Sequence, residues 1–92
     1  MRQRKQLGDR NVVGARIRGI RVGRNMEQED VITQVELLGG RLTQSKLSRI
    51  EGQISAVTDR DLIILSKVLN VSISDFFPPW DSGEMTQEII KL

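Results

Sequence analysis

The fold is decided by the stretch TQSKLSRIEGQ, residues 43–53. Placed on an α-helix at about 100° per residue, this stretch turns only Leu47 and Ile50 to the same inner edge. Thr43 is a favourable N-cap, and Leu42, directly before it, can pack as a hydrophobic staple. The remaining residues are Gln, Ser, Lys, Arg, Glu and Gly. The stretch therefore predicts a short helix with one narrow buried edge and a polar outward face.

The outward face carries the residue types that DNA recognition uses. A Gln amide offers a donor and an acceptor to one base edge, and an Arg guanidinium can donate two hydrogen bonds to one guanine. A helix of this width fits the major groove. Ser, Thr and Lys reach phosphate oxygens, and Gly permits a close backbone approach. The alternative is an ordinary polar face on a helix at the edge of a core, and this helix alone leaves both open. The residues concerned are Gln44, Ser45, Lys46, Ser48, Arg49, Gly52 and Gln53.

Length and composition indicate one small folded domain. The chain has 92 residues, of which 38% are hydrophobic and 28% charged, values typical of globular proteins. It contains no cysteine and no histidine, which excludes disulfides, thiolate metal sites and catalysis by Cys or His. No apolar run approaches the roughly 18–20 residues that cross a bilayer. We therefore expect a cytoplasmic protein with no cofactor, no metal, no membrane contact and no small-molecule effector.

Charge is distributed unevenly along the chain. Residues 1–25 hold eight Lys or Arg against Asp9, so 8 − 1 = +7, whereas residues 78–92 hold one Lys against three acidic residues, so 1 − 3 = −2. Such an asymmetry is typical of a protein that meets a polyanion from one side. A solvated basic tail explains it equally well. Arg2, Arg4 and Lys5 could follow a DNA backbone as an arm, or belong to a disordered tail.

Apolar periodicity predicts an all-α, compact five-helix bundle. Residues 1–11 lack a period and predict a flexible basic arm; residues 12–77 form the domain, and residues 78–92 are a short C-terminal tail. The second helix ends at Gly39–Gly40, Thr58 and Asp61 have capping-box spacing, and Pro78–Pro79 terminates regular structure. The inward residues of the helices are Val13, Ile17 and Ile20; Val31, Val35 and Leu38; Leu47 and Ile50; and Leu62, Leu65 and Leu69.

Four stretches in order resemble one known family. These are VGARIRGIR (13–21), MEQEDVI (26–32), TQSKLSRIEGQ (43–53) and TDRDLIILSKVLNVSISDFF (58–77). Together they are similar to the five helices of the Cro and phage-repressor type of helix-turn-helix domain, also called the XRE type. The resemblance covers residues 12–77. It implies the bundle of the phage-repressor DNA-binding domain, with residues 43–52 as the recognition helix.

The resemblance also implies a role for individual residues. Base-reading positions are Gln44, Ser45, Ser48 and Arg49. The positions near the phosphate backbone are Gln28, Thr43, Lys46 and Gln53. Arg41, at the tip of the turn, is a further candidate for contact with a phosphate. Arg21 and Glu51 match a buried structural ion pair that ties the first helix to the end of the third.

Two departures from the family pattern stand out. Glu27 occupies the position where the family usually has a Ser or Thr cap; a carboxylate there favours the helix dipole but adds negative charge near DNA. The stretch from Gln28 to Thr43 is several residues longer than in the common members, because ELLGGRL (36–42) lengthens the turn. The longer turn leaves open which residue meets which base pair.

Other residues have simpler interpretations. Glu27, Glu29 and Asp30 point in different directions on a helix, so a solvated first turn is favoured over a metal site. Phe76 and Phe77 could stack on bases, but at least one is expected in the core. Trp80 could cover the core edge or lie in a dimer interface.

Three function classes fit these residues to different degrees. The first is a sequence-specific double-stranded DNA-binding transcriptional regulator, repressor-like and acting as a homodimer. The second is a protein-interaction module, such as an antitoxin or anti-repressor, whose segment 78–92 binds a partner protein. The third, an enzyme, is disfavoured because the chain has no His, Cys or Tyr and no clustered acid pair in a cleft.

Overall fold

Residues 8–78 of the computed structural model are described here, and they form an all-α fold with no strand. The four α-helices are α1 (Gly14–Gly23), α2 (Gln28–Leu37), α3 (Gln44–Glu51) and α4 (Asp59–Leu69), followed by a 3₁₀ turn at Ile73–Phe76. α2 packs against both α3 and α4, and α1 packs against α3 and the 3₁₀ turn. No helix within residues 8–78 combines the length and the apolar character that crossing a membrane demands.

The helices begin where side chains accept the first free N–H groups. Thr43 Oγ1 accepts from Lys46 N at 3.0 Å at the start of α3. The predicted capping box of α4 is confirmed, since Thr58 Oγ1 accepts from Asp61 N at 3.1 Å and Asp61 accepts from Thr58 N at 3.3 Å. At α2 the Asp30 carboxylate accepts from Glu27 N at 2.7 Å. Local polar side chains therefore fix these three helix starts.

Each of the four α-helices ends with a left-handed residue in a Schellman motif. The residues with positive φ are Asn25, Gly39, Gln53 and Asn70. At the end of α2, for example, Gly40 N donates to Val35 O and Gly39 N to Glu36 O, both at 3.0 Å. These bonds satisfy the last helical carbonyls and reverse the chain over a short distance.

The core fills the space between the helices with aliphatic side chains and one aromatic ring. Most predicted inward residues are buried there, and Leu42 and Leu47 both belong to this core, as the staple predicts. Ile20 and Leu62 are partly buried at its margin. The fully covered side chains are Val13, Ile17, Val31, Val35, Leu47, Ile50, Leu65, Leu69 and Phe76.

Three predictions need correction. The fifth helix is a four-residue 3₁₀ turn, because Phe77 is extended before Pro78 and proline has no N–H with which to continue the helix. Leu38 is 52% exposed instead of inward, because α2 ends at Leu37 and Leu38 follows it as the C-cap. Residues 8–11, assigned to the flexible arm, hydrogen-bond to the end of α3, with Gly8 N to Gly52 O at 3.0 Å.

The remaining arm and tail predictions lie outside the described residues. This applies to Arg2, Arg4 and Lys5, to Trp80, and to all of the segment 78–92 except Pro78.

Candidate functional site

α3 presents a polar row on the side opposite its buried edge. Leu47 and Ile50 are fully buried. Gln44, Ser45, Ser48 and Arg49 are all exposed. Arg49 Nη1 donates to Ser45 Oγ at 3.0 Å, one turn earlier on the helix. The four residues predicted to read bases therefore lie on one accessible surface, with the guanidinium held along the helix.

The orientation of α3 depends on a close contact with α1. A Cβ atom on Gly14 would lie 2.0 Å from the carbonyl oxygen of Ile50, nearer than any side chain allows. Glycine at this position lets the two backbones meet. The short separation fixes which edge of α3 enters the core and thereby which edge faces outward.

Asn11 joins the same two helices through both polar atoms of its side chain. Its Oδ1 accepts from Val13 N at 3.0 Å and Gly14 N at 2.7 Å, which caps α1. Its Nδ2 donates to Ile50 O at 3.1 Å and Ser55 O at 2.8 Å. Asn11 is not among the predicted site residues, because it falls in the stretch 1–11 that lacks an apolar period. The available signal was an Asn directly before an apolar helical period, a common N-cap pattern.

A buried ion pair lies at the base of the site. Arg21 Nε and Nη2 donate to the two carboxylate oxygens of Glu51 at 2.7 and 3.0 Å, and Arg21 Nη1 donates to Met26 O at 2.8 Å. This is the pair that the family resemblance implies. The hydrogen bond to Glu51 raises the pKa of Arg21 above its usual value, against the opposing effect of burial, so the guanidinium stays charged.

The ion pair continues into a chain of side-chain amides that reaches the surface. Gln28, the first residue of α2, donates to Glu51 Oε1 at 3.1 Å and accepts from Gln44 Nε2 at 3.3 Å. Gln28 is half-buried, whereas Gln44 is exposed. The N-termini of α2 and α3 are thus held together by amides whose positions depend on Glu51.

The residues predicted near phosphates are only partly brought together. Gln28 and Thr43 lie at the starts of α2 and α3, and Lys46 is half-buried on the first turn of α3. Arg41 is exposed in the six-residue link 38–43 between α2 and α3. Gln53 lies beyond the end of α3 and donates to Asn11 O at 2.9 Å, so its side chain is engaged with the segment before α1.

Acidic side chains border the same site. Glu27 and Glu29 line an open hollow of about 490 Å³, together with Arg21, Gln28 and Gln44. Asp30 is occupied by capping α2. Among residues 8–78 no group of three or more carboxylates is arranged to hold a metal ion. The two glutamates set a negative potential beside the N-terminus of α2, where the helix dipole is positive.

Comparison with known proteins gives no independent assignment. A scan against protein-family models found no match, and searches of curated proteins and of solved structures found no similar protein.

Proposed function

We propose that this chain is a sequence-specific double-stranded DNA-binding protein that regulates transcription as a repressor, with α3 lying in the major groove. The observation that carries the proposal is the exposed polar row of α3 above a fully buried edge. A row of Gln, Ser and Arg matches the donors and acceptors on base edges in the major groove. The row consists of Gln44, Ser45, Ser48 and Arg49.

We further propose that α2, the link 38–43 and α3 form the helix-turn-helix unit of a Cro and phage-repressor type domain with a long link. The hydrogen bond between Gln28 and Gln44 supports this assignment, because it brings the N-termini of α2 and α3 to one surface. The positive ends of two helix dipoles favour a phosphate between them. Thr43 and Lys46 contact the backbone at the start of α3, and Arg41 extends the positive surface along the link.

The proposed complex is a homodimer. One recognition helix covers only a few base pairs, so two copies on a two-fold site supply the remaining contacts. Binding is expected to weaken steeply with salt, because Lys and Arg displace counterions from the phosphates.

Selection of bound sequences from random duplex DNA, followed by footprinting, tests the proposal. We expect enrichment of a short near-palindrome whose half-sites lie about one helical turn apart, roughly 10 base pairs. Recovery of no enriched sequence, or binding that does not change with salt, would contradict it.

Two substitutions separate base reading from phosphate binding. Arg49→Ala should remove preference at one base pair of each half-site, worth about 1–3 kcal/mol. Arg49→Lys is the matched control: it keeps the charge but not the planar fork, so it should lose the same preference while retaining most non-specific affinity. Gln28→Ala should weaken all sequences alike. An Arg49→Ala protein with unchanged base preference would refute the assignment of Arg49.

Removing a negative charge from the acidic side chains beside the site should raise the affinity for DNA. Glu29 lines the hollow beside Gln28 and Gln44, and its charge opposes an approaching phosphate. Glu29→Gln should therefore strengthen binding to specific and random DNA by a similar factor, and the gain should shrink with added salt. Titration of both DNAs at two salt concentrations measures this. An unchanged affinity at low salt would show that DNA does not approach this hollow.

A further inference from the structure

The contact between Ser45 and Arg49 leaves one edge of the guanidinium available to a ligand. Nη1 of Arg49 donates to Ser45 Oγ at 3.0 Å, and both residues are exposed. Nε and Nη2 lie on the edge away from Nη1, where their N–H groups point in parallel as a fork that matches two neighbouring acceptors. Within residues 8–78 the side-chain hydrogen bonds of Arg49 involve Nη1 alone. The fork therefore remains for an acceptor that this part of the chain does not supply.

Arg21 shows the same division of donors inside this protein. Its Nε and Nη2 donate to the two carboxylate oxygens of Glu51 at 2.7 and 3.0 Å, while Nη1 donates to Met26 O at 2.8 Å. In each arginine, an oxygen of the chain holds Nη1, and the fork of Nε and Nη2 points elsewhere. The fork of Arg21 is buried on a carboxylate, whereas Arg49 is exposed.

The position of Ser45 determines what its hydroxyl can do. A Ser hydroxyl inside a helix commonly donates to the carbonyl oxygen four residues earlier. Ser45 is the second residue of α3, so the residue four positions earlier, Arg41, lies outside the helix. Because Oγ already accepts from Arg49, the O–H of Ser45 is left to donate outward. Ser45 and Arg49 together form a surface unit whose outward groups are donors.

We propose that Ser45 is a positioning residue that sets the fork of Arg49 for guanine and thereby determines specificity at that base pair. This inference rests on the proposed function. In the major groove guanine shows two acceptors, N7 and O6, whereas cytosine shows a donor and adenine shows one donor and one acceptor. Thymine shows a single acceptor beside a methyl group. A fork of two donors therefore matches only guanine among the four bases.

The spacing of the two side chains adds a second base pair to the unit. Ser45 and Arg49 are four residues apart, about 6 Å along α3, but their hydrogen bond brings Nη1 to 3.0 Å from Oγ. That separation is close to the rise of roughly 3.4 Å between successive base pairs. The O–H of Ser45 therefore addresses the base pair next to the guanine, where it favours an acceptor over the amino group of cytosine.

Selection of bound sites from random duplex DNA, repeated with variants, tests the proposal. The base pair at which Arg49→Ala loses its preference should be a guanine. Ser45→Ala should lower the preference for this guanine about three- to tenfold, the contribution of one net hydrogen bond. Ser45→Thr keeps the hydroxyl and should retain the preference. Replacing the guanine by 7-deazaguanine removes the N7 acceptor, which should weaken binding of the wild-type protein more than that of Ser45→Ala.

Double substitutions separate positioning from an independent contact. With Arg49→Ala already present, Ser45→Ala should not lower the guanine preference further, because no fork remains to be positioned. Ser48→Ala is the matched control. Ser48 directly precedes Arg49 and points to a different side of the helix, so the effect of this substitution on the guanine preference should be the same with and without Arg49.

The outcomes distinguish this proposal from the proposed function. A selected site whose guanine preference survives Ser45→Ala would overturn the proposal and leave the proposed function standing. Additive effects of Ser45→Ala and Arg49→Ala would do the same, as would a site where Arg49→Ala loses preference for a base other than guanine. Failure to select any site would contradict the proposed function itself, and this inference with it.

Discussion

Alanine at Gly14 and alanine at Gly19 should change the stability of the protein in opposite directions. Both glycines lie in α1. A Cβ atom on Gly19 would have no atom within 4 Å, whereas a Cβ atom on Gly14 would lie 2.0 Å from Ile50 O and 3.1 Å from Asn11 Oδ1. The same chemical change therefore meets solvent at one position and the backbone of α3 at the other.

The expected magnitudes follow from these surroundings. Gly19→Ala should stabilise the fold by about 0.5–1 kcal/mol, the difference in helix propensity. Gly14→Ala requires the Ile50 carbonyl to retreat by 3.4 − 2.0 = 1.4 Å to reach ordinary contact. Separating α1 from α3 in this way loosens the packing of Ile17 and Ile50, and overpacking of this kind costs about 1–3 kcal/mol.

Urea and thermal unfolding followed by circular dichroism measure both variants under identical conditions. Gly19→Ala should raise the melting temperature, and Gly14→Ala should lower it, by about 4–8 °C per kcal/mol for a domain of this size. If Gly14→Ala is as stable as Gly19→Ala, α1 and α3 do not meet at this point. The orientation assigned to the polar row of α3 would then be wrong as well.

Two further predictions concern the polar contacts that hold α3. Asn11→Ala should destabilise the protein by about 2–3 kcal/mol, since it removes a cap and two long-range donors. Asn11→Asp keeps the cap but turns a carboxylate oxygen towards the carbonyl oxygens of Ile50 and Ser55, so it too should destabilise the protein. Unchanged stability of this variant in urea unfolding would show that donation to Ile50 and Ser55 contributes nothing. Glu51→Ala should cost about 3–5 kcal/mol by leaving Arg21 buried without its partner, whereas replacing both by aliphatic residues should cost much less. A double-mutant cycle without coupling would contradict the pairing.

The parts of the fold that depend on neighbouring residues could be predicted from the sequence. The starts of α3 and α4 follow from Thr43 and Thr58, whose side chains bond within one helical turn. Leu47 and Ile50 could be recognised as the buried edge because helical geometry alone places them together. The predicted short helix is confirmed at residues 44–51.

Contacts between distant residues could not be predicted in this way. Asn11 bonds to residues 39 and 44 positions further along the chain, and no local pattern reports such a pairing. Leu38 continues the apolar period of α2, yet the left-handed conformation of Gly39 diverts the chain and leaves Leu38 exposed. The Arg21–Glu51 pair spans 30 positions and was anticipated only through the family resemblance.

The link between α2 and α3 is fastened at both of its ends. At the first end, the Schellman motif holds Gly39 and Gly40 to α2, and a Cβ atom on Gly40 would collide with Ile64. At the other end, Leu42 is buried under the start of α3. Only Arg41 lies between these anchors. Extra residues inserted beside it would form a surface bulge, and even doubling such a loop adds only about 0.6 kcal/mol of closure entropy. A longer link at this point should therefore leave α3 at one fixed angle to the rest of the domain.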